Sequence, residues 1–123
     1  MHLILGLPGE TQSDMRETVK LVGRAGVEAI KFHHLQVIMK TRLNQIYQDN
    51  PFKVYSATEY MEILADLITC VPKSVILHRL WSSSARDILV APDWGGLGAH
   101  QLNGLLLSAL EEGDRYQGKA LLG

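Results

Sequence analysis

The chain has 123 residues, 12 basic and 13 acidic side chains, and a formal net charge of −1, with 46% hydrophobic and 20% charged residues. These values describe one domain of ordinary soluble α/β composition and give no electrostatic reason for a polyanion as main partner. No apolar run approaches the ~20 residues of a membrane-spanning helix, and Met1 leads into strand-like sequence without a leader pattern, so the cytoplasm is the expected location. Cys70 is the only cysteine, which excludes an intrachain disulfide and a cluster held by this chain's own thiolates.

The first element is a strand over 2–7, a nearly unbroken apolar run of the kind found in parallel sheets covered on both faces. Such a strand needs neighbours, and its place at residue 2 suggests a chain truncated upstream. Pro8 to Thr11 turns the backbone. Thr11 is an N-cap with Asp14 in the first turn, and Met15, Val19 and Val22 form the inward stripe of a helix ending at Gly26. An extended segment follows over 27–35, completing a βαβ unit with parallel strands. Thr41 to Gln48 reads as a short helix. Ser56-Ala57-Thr58-Glu59 is a capping box opening an apolar helix that runs to Val71 and is ended by Pro72. A third strand over 74–80, a loop, a short element over 86–91, a Gly-rich connection, a helix over 100–111 and a polar tail complete the chain.

Gly6-Leu7-Pro8-Gly9-Glu10-Thr11 lies between a strand and a helix, where a phosphate loop would lie. It lacks the lysine of a Walker loop and the third glycine of a dinucleotide loop. The motif is then a tight turn at the C-terminal edge of a parallel sheet, the edge at which ligands bind in such folds; a plain βα turn reads equally well. His33 and His34 are adjacent and face opposite sides of a strand. No HxxxH or HExxH spacing exists, so no protein-ligated metal is expected. His33, His34 and Arg79 are substrate-side candidates, with a core or rim histidine and an ion pair from Arg79 to Asp87 or Glu10 as the plainer alternatives.

The turn, read with its surroundings, resembles the fifth-strand motif of the radical S-adenosylmethionine (SAM) superfamily. The likeness is to an uncharacterised bacterial subgroup similar to oxygen-independent coproporphyrinogen III oxidase and the elongator catalytic subunit. Ile30 to Val37 with Lys40-Thr41-Arg42-Leu43 resembles the sixth strand and its following loop. His78-Arg79-Leu80, Arg86-Asp87, Ala91-Pro92, Trp94 and Gln117-Gly118-Lys119 resemble the C-terminal signature. Trp81-Ser82-Ser83-Ser84 and Gly95 to Ala99 depart from the subgroup's pattern.

The resemblance implies an α/β fold: the C-terminal portion of a partial (β/α) barrel over residues 1–50, with a mainly helical extension over 51–123. In the parent protein it implies SAM and a [4Fe-4S] cluster, the latter held by a cysteine loop in a missing N-terminal barrel half. By the same resemblance His2, Ile4, Gly6, Gly9, Gln36 and Val37 are cofactor-side residues. The parent activity would be reductive cleavage of SAM and radical chemistry on an unknown substrate, with RNA the class offered by family analogy. This chain alone would not catalyse it. A non-catalytic scaffold module and a small nucleotide- or anion-binding domain are the alternative readings.

Overall fold

The computed structural model describes residues 1–122. In chain order it contains β1 (His2–Leu5), α1 (Gln12–Arg24), β2 (Ala29–His34), β3 (Val37–Ile38), α2 (Arg42–Asp49), α3 (Ala57–Ile68), β4 (Ile76–Arg79), β5 (Leu89–Ala91), α4 (Ala99–Glu112) and a 3-10 turn, Lys119–Leu121. β1, β2 and β4 form a parallel sheet in the order β1-β2-β4, while β3 and β5 pair antiparallel beside it. The α/β class and the parallel βαβ unit expected from sequence are present, as is the helical extension. The sheet takes its third strand, β4, from beyond residue 50. No helix among the described residues is long and apolar enough to cross a membrane.

Alternation builds the sheet. Leu3, Leu5, Ile30 and Phe32 point to the helices and are at most 9% exposed, while His2 and Ile4 point the other way. The helix-side layer packs on Met15 and Val19 of α1 and on Tyr60, Met61 and Leu64 of α3, in one core that continues to Leu102 and Leu106 of α4. Two capping boxes start α1 and α3, Thr11 with Asp14 and Ser56 with Glu59, each pairing a side-chain oxygen with the N3 amide and returning the bond. Arg16 and Gln12 of α1 both bond the Asp66 carboxylate of α3, fixing the two helices to each other.

α3 stops at Ile68, three residues before the point expected from its apolar spacing. The Thr69 amide and hydroxyl both donate to the Asp66 carbonyl, tightening the last turn. Pro72 meanwhile disfavours helical backbone at Val71. Cys70 and Val71 remain fully buried in that turn. The segment expected as a polar tail instead docks: Gln117 Nε2 donates to the carbonyls of Pro72 and Val75 at 2.8 and 2.7 Å, and the Ala120 amide donates to Thr69. Gly118 makes this return possible with φ 84°, and a Cβ there would lie 3.1 Å from the Lys73 side chain.

Candidate functional site

The face of the sheet turned away from the helices is open. His2 and Ile4 of β1 project from it beside His33 of β2, with Ile4 opposite His33 and His2 opposite Lys31. Ile4 is 49% exposed, unusual for an isoleucine in a parallel strand. The His2 and His33 rings stack with centroids 5.1 Å apart, and their Nδ1 and Nε2 atoms are 2.9 Å apart, so one imidazole donates to the other. Burial, then His2, Arg79 and Lys31, lower the His33 pKa. A cavity of about 370 Å³ lies over this face, lined by His2, Ile4, His33, Gln36, Ile38 and Ser82 among others.

Arg79 joins this face through an irregularity. Ile76 and Leu77 pair with Ala29 and Ile30, but Lys31 then pairs with Arg79, so His78 is an extra residue in β4. Arg79 therefore lies level with Lys31 and His2, and neither it nor Lys31 forms an ion pair among the described residues. The pairing with Asp87 or Glu10 considered from sequence does not form.

His34 faces the opposite side and is 4% exposed. Its ring stacks on Trp94 with centroids 3.9 Å apart and is tilted against Tyr60, whose hydroxyl donates to the Leu80 carbonyl at 2.5 Å. The Ser82 amide donates to His34 Nδ1 at 3.1 Å, and the Ser82 hydroxyl to the His34 carbonyl at 2.9 Å. Burial, with a smaller contribution from His33, pushes the His34 pKa down to about 4, so the ring is neutral at pH 7. A second cavity of about 430 Å³ lies beside His34, between the segment 81–97 and the start of α4. The two cavities share His34, Gln36 and Ser82.

The other sequence candidates fall elsewhere. Gly6 sits at the turn after β1 with φ 92°, and a Cβ there would meet the Tyr55 ring at 2.8 Å, so a side chain strains the turn whatever ligand is nearby. Gly9 has φ 80° with open space around it. Val37 is fully buried and opposes Ala91 of β5, while Gln36 Oε1 accepts from the Ser84 hydroxyl at 2.6 Å. The His34–Ser82–Trp94 group was not assembled from sequence. Its signal was the polar ring of His34 at a position that strand alternation assigns to the core.

The Radical_SAM C-terminal domain family matches residues 27–106, about two thirds of the chain, and the chain belongs to that family. It is similar to the uncharacterized protein YtqA of Bacillus subtilis, 29% identical over 118 residues, 96% of this chain and 36% of that protein. It is also similar to the uncharacterized protein MJ0486 of Methanocaldococcus jannaschii, 31% identical over 76% of this chain and 29% of that protein. Protein YhcC of Escherichia coli is 32% identical over 76% of this chain and 30% of its own length. The chain thus spans about a third of the length of these relatives. Among solved structures it resembles the archaeal Methanocaldococcus infernus Elp3 with its N-terminus deleted, with a TM-score of 0.77 at 21% identity over 94% of this chain and 27% of that one. That likeness establishes the fold, the C-terminal portion of a radical SAM architecture.

Proposed function

We propose that this chain forms the C-terminal wall of a cytoplasmic radical SAM protein and that the open face of β1 and β2 receives the adenosine of SAM. Residues 1–50 supply barrel strands, and residues 51–122 fold over them as an extension that lends β4 to the same sheet. The observation that carries the reading is the unfinished face: β1 and β4 each paired on one side only, and a cavity on the side away from the helices. The residues fit an adenosine. Ile4 and Ile38 offer apolar contact to a purine face, while Gln36 and the His2–His33 pair offer hydrogen bonds at its edge.

They do not fit an iron–sulfur cluster. Such a cluster takes three or four thiolates, and Cys70 is fully buried in the helical core. The cluster's ligands would lie in the N-terminal half of the parent protein. When bound there, SAM supplies a 5′-deoxyadenosyl radical on reductive cleavage. The part played by this chain is to bind and orient the nucleoside, with Ile4 excluding water from one face and His2 and His33 holding a shared proton beside it.

In the full-length parent, Ile4→Asp places a carboxylate against the purine without touching the core. SAM affinity measured by calorimetry falls by about tenfold or more, the equivalent of ~1.4 kcal/mol, while the melting temperature stays near wild type. Unchanged affinity in the folded variant removes β1 from the SAM site.

A further inference from the structure

The larger cavity, of about 430 Å³, is not used by the SAM-side reading. Several hydrogen-bond donors in its lining have no acceptor among the described residues. Because His34 Nδ1 accepts from the Ser82 amide, the proton of the neutral ring is on Nε2, and Nε2 has no acceptor among the described residues. Gln36 Oε1 is engaged by Ser84, which leaves its amide NH₂ to donate. Arg86 lines the cavity without an ion-pair partner among the described residues. Its guanidinium lies so close over Gly96 that a Cβ there would be 2.7 Å from Nη1.

The backbone adds to the same imbalance. α4 is 14 residues long and starts at Ala99, which lines the cavity. Its N-cap is Gly98, which has no side chain to cap the first amides, and no acidic residue lies in the first turn. The Gln101 side chain accepts from the Gly98 amide, leaving the next helical amides uncapped. The lining has one carboxylate, Asp93, with Oδ1 held by the Gly95 amide at 2.8 Å. An imidazole N–H, a guanidinium and a helix N-terminus thus line one cavity against a single carboxylate.

We infer that this cavity is an oxyanion site, taking the phosphate or carboxylate of a small ligand whose body lies along Trp81 and Trp94. It is a second site, distinct from the SAM-side face and touching it at His34, Gln36 and Ser82. His34 contributes as a neutral donor, and an Arg86–oxyanion pair supplies the charge-assisted bond.

Both tryptophans of the chain line the cavity, so intrinsic fluorescence reports its occupancy. Phenyl phosphate, benzoate and uncharged benzyl alcohol are titrated into the protein without SAM. Phenyl phosphate or benzoate produces a saturable change that benzyl alcohol does not, and whichever binds more tightly identifies phosphate or carboxylate as the natural group. Arg86→Gln, at an exposed position, weakens that binding by about tenfold or more. Arg24→Gln, an equal loss of charge at the far end of α1, leaves it unchanged. Nitrogen chemical shifts of His34 show the Nε2–H tautomer and move on binding. The inference is overturned if benzyl alcohol binds as well as the anions, if neither anion saturates, or if Arg86→Gln and Arg24→Gln behave alike. Because SAM is absent throughout, failure here is separable from failure of the SAM-side reading, which the Ile4 variant tests.

Discussion

The two faces of one three-stranded sheet are built from alternate residues of the same strands, yet they are in different physical states. On the helix side Phe32 and Ile30 are fully buried against Met15, Val19 and Tyr60. On the other side His2, Ile4, Lys31, His33 and Arg79 stand in or beside a cavity. The first face accounts for cohesion, and the second contributes almost none. Cohesion is therefore divided by the alternation of residues along β1 and β2, so the open face can be altered with little effect on stability.

The sharpest way to break that comparison is to truncate both faces in turn. Phe32→Ala lowers unfolding free energy by about 3–5 kcal/mol through the lost burial and the cavity left behind. Ile4→Ala, one row away on the open face, stays within about 0.5 kcal/mol. Denaturant melts of the two variants check this, and comparable losses would mean that the open face is packed in solution.

A second effect belongs to the one titratable ring on the closed face. His34 has a folded pKa of about 4, below its ordinary 6.5. Between these values the unfolded chain binds more protons than the folded one. Stability is thus fully present above pH 6.5 and declines as pH falls toward 4, by roughly 3 kcal/mol in the limit. Melts across that window should show the slope, and His34→Gln should flatten it. A slope that survives the substitution would assign the acid sensitivity to other groups.

The smallest effect lies off the sheet. Lys40, between β3 and α2, has φ 62°, a left-handed conformation costly for a side chain with a Cβ. Lys40→Gly relieves it and should raise stability by about 1 kcal/mol, a gain that neither face of the sheet would share. No gain would indicate that the flexibility glycine adds to the unfolded chain offsets the relief.

Much of the closed face was legible in the sequence because local chemistry and tertiary position agree there. Thr11 with Asp14 and Ser56 with Glu59 mark helix starts whatever surrounds them, and the stripe of Met15, Val19 and Val22 is the stripe that packs. Alternation likewise separated His33 from His34. The cavity beside His34 was not legible, because it brings together residues about 48 positions apart, Ser82 with His34 and Ser84 with Gln36, through loops without periodicity. Gly6 was ambiguous for a related reason. A glycine after a strand can admit a ligand or a turn, and only the position of the Tyr55 ring shows what fills the space. The docking of Gln117 was hidden because a polar composition is equally consistent with bonds to water and bonds to buried carbonyls.

The extra residue in β4 acts as a frameshift written in three dimensions. Leu77 and Leu80 both pack against the core, three positions apart, where an unbroken strand would keep only residues two apart on one side. Were His78 kept in a regular strand, the parity of every later residue would reverse, sending the Arg79 guanidinium toward the core and turning Leu80 out to water; the bulge absorbs the extra residue and prevents this. Deletion of His78 should therefore be as compatible with the register as its substitution, because Leu77 and Arg79 already pair with consecutive residues of β2. A chain that gained one further residue in this strand would instead need a second bulge or a compensating deletion to keep Arg79 level with Lys31.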